Sequence, residues 1–249
     1  MLRRFFLVSL ALQALTLPVV AEARTGGFPV YYQPELPWSS WDGDVRLWCS
    51  GDTFVMRRLS QTVTMATACP TEFYGYADGG AYAGFTNGTW FIDNAGVQTQ
   101  IAAAAPTAAV CLPRAGLVST FSNGLWLVAT SGQKQLAASA PTKTYGCLDE
   151  GVVGTFSNGL WLLKYDGTQT QLATVDATTL HGVAPDGLVG SFSNGLFLLK
   201  FDGTQTQLAT AAPTEVIDIG SQNLLACFGN GLWEIDYAGT QTHIAASCN

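Results

Sequence analysis

Short apolar runs broken by polar, glycine-containing pairs run through most of this chain, and the pattern returns on itself. Residues 156–173 (FSNGLWLLKYDGTQTQLA) recur almost letter for letter at 192–209, with weaker copies at 85–102, 121–137 and 228–245. The anchors Asn87, Asn123, Asn158, Asn194 and Asn230 stand 36, 35, 36 and 36 residues apart. A period of that length marks a chain of supersecondary units, none of which can bury its apolar face alone.

Within each copy the alternation predicts four strands. In the last copy they fall at 214–220, 224–228, 232–237 and 240–245. Asn230-Gly231 is expected to join the second strand to the third through a type I′ turn, which needs positive φ at both residues. Ala238-Gly239, like Asp166-Gly167 and Asp202-Gly203 in sister copies, joins the third to the fourth. An acid-Gly pair joins the first to the second (Asp42-Gly43, Asp78-Gly79, Glu150-Gly151, Asp186-Gly187). Ala-Pro-Thr segments opening at Ala105, Ala140 and Ala212 lead into the next copy.

The third strand, residues 159–163 (GLWLL), is apolar on both faces, as expected when a sheet packs on two neighbours. The fourth, residues 168–171 (TQTQ), is polar and β-branched, which suits an outer edge guarded against further pairing. No stretch after residue 23 shows a 3.6-residue apolar period. Copies begin near Pro34, Pro70, Pro106, Pro141, Ala177 and Pro213, the first being degenerate over 46–68. Together they predict an all-β, six-bladed β-propeller with four antiparallel strands per blade over 34–249, preceded by an N-terminal arm at 24–33.

The first 23 residues stand outside the pattern. Arg3-Arg4, an apolar run from Phe5 to Val20 and the small-x-small sequence Ala21-Glu-Ala23 read as a secretory signal peptide. The chain is therefore expected to be secreted or periplasmic, and no other stretch has the length of a membrane span. Its formal charge of −7 becomes one unit more negative without the leader, which removes two cations and one anion. An acidic, charge-poor chain with no basic patch is not built for nucleic acid or anionic lipid.

All 6 cysteines follow the leader, and an even count in an oxidising compartment predicts disulfides. Cys49 and Cys227 fall on second strands of the first and last copies, and Cys69 and Cys248 follow the fourth strands. The near-equal spacings predict Cys49–Cys69 and Cys227–Cys248, each within one blade. Joining Cys49 to Cys227 instead would link second strands of adjacent blades, too far apart for the roughly 7 Å limit on Cα separation. Cys111 and Cys147 lie on innermost strands of adjacent blades. Their offsets from Pro106 and Pro141 differ by one, which points the side chains to opposite faces and predicts a Cys111–Cys147 bridge between blades. With 2 histidines and no Cys-x-x-Cys there is no zinc pattern, and no metal or cofactor is expected.

The repeat resembles the β-propeller superfamily. Its length is similar to that of tectonin-type lectins and its strand order to that of NHL-type propellers. Residues 164–168 (KYDGT) and 200–204 (KFDGT) resemble the Asp-box hairpins of sialidase-like propellers, without their leading Ser and closing Trp. The resemblance covers 34–249 as architecture. It implies a ligand site at a mouth of the central channel.

Candidate chemistry follows from departures within the repeat, because copies constrained only by packing should be alike. Trp90, Trp126, Trp161 and Trp233, with Phe197 in the same place, could be a stacking platform, although blade-to-blade core is the plainer reading. The Ser-Asn-Gly asparagines and the turn acids Asp42, Asp78, Asp149, Glu150 and Asp186 suit turns first. The starts of the innermost strands diverge most. One column reads Leu36, Glu72, Ala108, Lys143, Thr179, Glu215, and another Trp38, Tyr74, Val110, Tyr145, His181, Ile217. Glu72, Tyr74, Lys143, Tyr145, His181 and Glu215 are the candidate ligand-binding residues, ringing one mouth.

Catalytic patterns are weak. Arg46, Arg57 and Arg58 share one blade, leaving only Arg114 towards a carboxylate-clamping arginine triad, and no Gly-x-Ser-x-Gly occurs. No residue is therefore named as catalytic. Asn87-Gly-Thr89 is a glycosylation sequon. The expected function is a secreted, non-catalytic binding propeller for carbohydrate, with near-identical fourth and fifth blades suiting repeated weak sites. The alternatives are a hydrolase or lyase using Glu72, Glu215 and His181, and a scaffold for an extracellular protein.

Overall fold

The structure, a computed structural model, describes residues 41–42, 45–58, 61–77 and 79–248. The leader, the arm, Leu36, Trp38 and Asp78 lie outside the described residues. Among those described there is no helix, and 24 strands form six antiparallel sheets of four. The first sheet contains β1 (Trp41–Asp42), β2 (Val45–Ser50), β3 (Thr53–Arg58) and β4 (Gln61–Ala66). The second contains β5 (Glu72–Ala77), β6 (Gly80–Phe85), β7 (Gly88–Asp93) and β8 (Gln98–Ala102). The third contains β9 (Ala108–Cys111), β10 (Leu117–Phe121), β11 (Gly124–Ala129) and β12 (Gly132–Ala137). The fourth contains β13 (Lys143–Cys147), β14 (Gly151–Phe156), β15 (Gly159–Lys164) and β16 (Gln169–Ala173). The fifth contains β17 (Thr179–Ala184), β18 (Gly187–Phe192), β19 (Gly195–Lys200) and β20 (Gln205–Ala209). The sixth contains β21 (Glu215–Ile219), β22 (Asn223–Phe228), β23 (Gly231–Asp236) and β24 (Gln241–Ala245). Each sheet is a meander in chain order, so the polar fourth strand is an edge, as its composition required.

Successive sheets stack face to face in a propeller-like arrangement. Five apolar clusters join the first sheet to the second and so on to the sixth. In the fourth sheet Val153, Leu160, Leu162 and Leu172 pack on Leu188 and Leu199 of the fifth. The other face, with Val152 and Leu163, packs on Leu125, Leu127 and Leu136 of the third. Two-sided burial explains why third strands such as β15 and β19 are apolar on both faces.

Polar bonds reinforce each seam. The first glutamine of the fourth strand donates from Nε2 to a backbone carbonyl at the end of the preceding sheet's fourth strand. Gln98 bonds Met65, Gln133 bonds Ile101, Gln169 bonds Leu136, Gln205 bonds Leu172 and Gln241 bonds Leu208, at 2.6–2.9 Å. The second glutamine turns inward on its own sheet. Gln100, Gln135, Gln171 and Gln207 donate to the carbonyls of Asn87, Asn123, Asn158 and Asn194. The threonine of the Ala-Pro-Thr link pins the next first strand. In the fourth sheet both the amide and the hydroxyl of Thr142 donate to the Thr155 carbonyl.

The hairpin between second and third strands differs from the sequence expectation. Phe156 pairs with Gly159, so Ser157-Asn158 is the two-residue loop and Gly159 opens the third strand. The glycine is required by the neighbouring strand. At Gly159 φ is +122°, and an added Cβ would lie 2.1 Å from the Ala173 carbonyl oxygen. Asn158 is free to use its side chain elsewhere, and its Oδ1 accepts the Trp161 indole N–H at 3.1 Å.

Three disulfides are present: Cys49–Cys69, Cys111–Cys147 and Cys227–Cys248, with Cα separations of 5.9, 6.1 and 5.9 Å. Cys111–Cys147 joins opposite faces of neighbouring sheets, as the one-residue offset from Pro106 and Pro141 predicts. Cys111 stands opposite Val118 on the third sheet's face toward the fourth, and Cys147 stands opposite Val152, one position off in register, on the fourth sheet's face toward the third. Both first strands carry the bulge, at Val110 and at Tyr145, so the offset persists along them. First strands of neighbouring sheets, such as β9 and β13, lie in contact, so positions offset by one can bridge across the seam. Three disulfides fit a chain that folds in an oxidising compartment, secreted or periplasmic. No helix among the described residues is long and apolar enough to cross a membrane.

Candidate functional site

The first strands begin at the end of the sheets that also carries the Ser-Asn-Gly loops and the links between sheets. The candidate residues separate there into groups. Glu72 is exposed and accepts a 3.1 Å hydrogen bond from the half-buried Tyr74 hydroxyl. Burial, then the bond to Glu72 and its charge, push the Tyr74 phenol well above its ordinary range. His181 is half-buried and its Nε2 lies 2.7 Å from the Ser191 hydroxyl. Glu215 is exposed on β21 beside Ile217.

Lys143 and Tyr145 form the densest group. Lys143 Nζ donates to the Tyr145 hydroxyl at 3.0 Å and stands 4.2 Å from the ring centroid. The Tyr145 hydroxyl donates to Asp176 Oδ1 at 2.7 Å, and the buried Thr155 hydroxyl donates to the same oxygen at 2.8 Å. Asp176 comes from the link into the fifth sheet, so the group spans the seam between the fourth and fifth sheets. Burial works to raise the Asp176 carboxyl, but the bonds from Tyr145 and Thr155 and the Lys143 charge outweigh it and hold the group below its ordinary value. The bond to Tyr145, with the Asp176 charge behind it, raises the Lys143 ammonium. Lys143 and Asp176, both exposed, are thus held in their charged forms in fixed geometry beside the Tyr145 phenol.

Asp176 is not among the candidates that the sequence singles out. It stands in the place of Ala212 in the next link, one position before the Ala177 that replaces proline. The signal is a departure in the link, whereas the diverging columns begin three residues later.

The repeated groups are consumed internally. Trp90, Trp126, Trp161 and Trp233 are half-buried at the seams, and each indole N–H bonds the loop asparagine of its own sheet at 3.0–3.1 Å. The turn acids Asp149, Glu150 and Asp186 lie at the opposite end of the sheets, where Glu150 pairs with Lys164 at 3.2 Å. An open cleft at that end, between the third and fourth sheets, is lined by Ala115, Lys134 and Tyr165 among others and gathers none of the candidate residues. Its Lys134 and Tyr165 are tied to the carbonyls of Asp166 and Leu148.

Burial lowers the His181 pKa, so the imidazole is neutral at pH 7. The unfolded chain takes up a proton near pH 6.5, before the folded one does, so stability falls as pH drops through that value. Melting temperature should therefore decline between about pH 7.5 and 5.5 more steeply in the wild type than in His181→Gln. Equal slopes would mean that His181 is not held neutral.

No family description matches the chain, and no curated protein matches it. Solved structures that align with the chain include three bacterial ones. The structure of PorZ, a surface component of the type-IX secretion system of Porphyromonas gingivalis, aligns with 84% of this chain at 15% identity and a TM-score of 0.38, using 32% of its own length. The extracellular domain of a protein described as a hybrid two-component system, from B. thetaiotaomicron, aligns with 88% at 16% identity and a TM-score of 0.36, using 34% of its own length. A second structure of that extracellular domain, described as a one-component system, aligns with 86% at 16% identity and a TM-score of 0.36. The chain spans about a third of the length of these structures.

Proposed function

We propose that this chain is an extracytoplasmic, non-catalytic binding protein whose six sheets close into a six-bladed propeller. It takes a hydroxyl-rich ligand, carbohydrate in class, at the mouth where the first strands begin. The observation that carries this reading is the Lys143–Tyr145–Asp176 group. An exposed ammonium and an exposed carboxylate are held beside an aromatic ring, a set that donates to and accepts from sugar hydroxyls. Preorganisation by Thr155 lowers the cost of ordering the site on binding. The candidate acid and base of a catalytic reading are spent on neighbours, Glu72 on Tyr74 and His181 on Ser191. The repeated Trp-Asn pairs support seams rather than sites, so one site per chain follows.

A glycan array on the mature protein tests this. Asp176→Asn and Lys143→Ala should each weaken binding of any hit about tenfold or more, the scale of a lost charge-assisted bond. Trp161→Phe, which copies the residue at Phe197, should leave it unchanged. An empty array, or hits indifferent to Asp176→Asn, would remove the carbohydrate reading.

A further inference from the structure

The six sheets meet through one recurring contact. A third-strand residue of the leading sheet shares a cluster with a cross-strand pair of the following sheet. Met56 does so with Ala81 and Ile92, Leu162 with Leu188 and Leu199, and Leu198 with Leu224 and Ile235. The other two seams repeat the pattern with apolar residues. In the same register the sixth sheet has Glu234, and the first sheet has the pair Arg46 and Arg57. The one acid in a column that is otherwise apolar thus corresponds to the one pair of cations in the columns it would meet.

Two further observations set this seam apart. The position that carries the stapling glutamine in sheets two to six is Thr62 in the first sheet, opposite Arg57. The outward face of the sixth sheet is uncovered among the described residues. Ile244 is 51% exposed, whereas its equivalents Leu172 and Leu208 are 0% and 1% exposed. Asn223 Nδ2 donates to Glu234 Oε1 and fixes the carboxylate on that face.

We propose that Arg46 and Arg57 of the first sheet bind Glu234 of the sixth sheet of the same chain, an ion-pair latch that closes the ring and defines its two ends. This rests on the closed-propeller reading above. The latch supplies what near-identical sheets lack. A sheet from another copy that met Glu234 with leucines, or the arginines with leucines, would leave a charge buried without its partner, so only the correct ends join.

Three variants test it: Glu234→Lys, Arg46→Glu with Arg57→Glu, and all three changes together. Each charge reversal alone should lower the melting temperature by roughly 10 °C and speed amide exchange in β2 and β24. The combined variant should recover more than half of the loss. Where Glu234→Lys fails to fold, Glu234→Gln and Arg57→Gln, singly and combined, provide the same cycle. Losses that simply add would overturn the latch. So would light scattering that shows a wild-type dimer dissolved by Glu234→Lys, since the partner would then be a second copy. Ring closure itself is read separately from an engineered disulfide between β1 and β21, made by Trp41→Cys with Asp218→Cys. If that bridge forms and the charges do not couple, the latch alone fails; if it does not form, the ring reading fails first.

Discussion

Gly159→Ala should lower the melting temperature by roughly 10 °C, the largest loss expected from adding one methyl group to this chain. A left-handed backbone costs a non-glycine residue on the order of 1–3 kcal/mol. For a chain of this size each kcal/mol moves the midpoint by roughly 2–4 °C. At Gly159 a second cost is added, because the new Cβ would stand 2.1 Å from the Ala173 carbonyl oxygen, and backbone cannot swing aside as a side chain can. Gly132 separates the two effects. Its φ is +128°, and a Cβ there meets nothing within 4 Å. Gly132→Ala should therefore show about half the loss. Equal losses by thermal denaturation would mean that the close approach of β16 to the start of β15 contributes nothing.

The second large effect is expected at the inter-sheet disulfide. Cys111–Cys147 closes a loop with a sequence separation of 36, against 20 for Cys49–Cys69. Chain-entropy arguments give about 4 kcal/mol for the longer loop and about 3 for the shorter. Cys111→Ala with Cys147→Ala should lower unfolding free energy in urea by about 4 kcal/mol, while the sheets on either side keep their apolar seam and the Gln169 bond to Leu136. A loss under about 1 kcal/mol would show that the seam already restricts the chain as much as the bridge does.

Much of this fold was legible because one pattern was written several times. The spacing of the Asn-Gly pairs located the sheets, and the shift from apolar third to polar fourth strand gave the order within each. Which residues form the loop was not legible. Ser157-Asn158 and Asn158-Gly159 are both acceptable two-residue turns, and the choice is made by the Ala173 carbonyl from another strand. The two glutamines of each fourth strand read as edge polarity, yet Gln169 crosses to the neighbouring sheet and Gln171 caps its own loop. Bonds between segments about one repeat apart leave no mark in local sequence. At the site, Lys143 and Tyr145 stood out as departures within an aligned strand, whereas Asp176 lies in a link outside the strand columns. Glu234 lies within a strand column, but its meaning depends on the Arg46–Arg57 pair at the far end of the chain.

Ring closure is the claim on which the mouth and the latch both depend, and one engineered bridge tests it most directly. Trp41 stands opposite Arg46 as Cys147 stands opposite Val152, and Asp218 stands opposite Leu225 as Cys111 stands opposite Val118, so the two hold in the first and sixth sheets the positions of the native bridge. The native pair stands at 6.1 Å between Cα atoms. In a closed six-bladed ring the double variant Trp41→Cys with Asp218→Cys should form that bridge within one chain, seen as one further disulfide-linked peptide pair by mass spectrometry of the monomer. Free thiols at both positions, or a bridge found only between two chains, would contradict the closed ring.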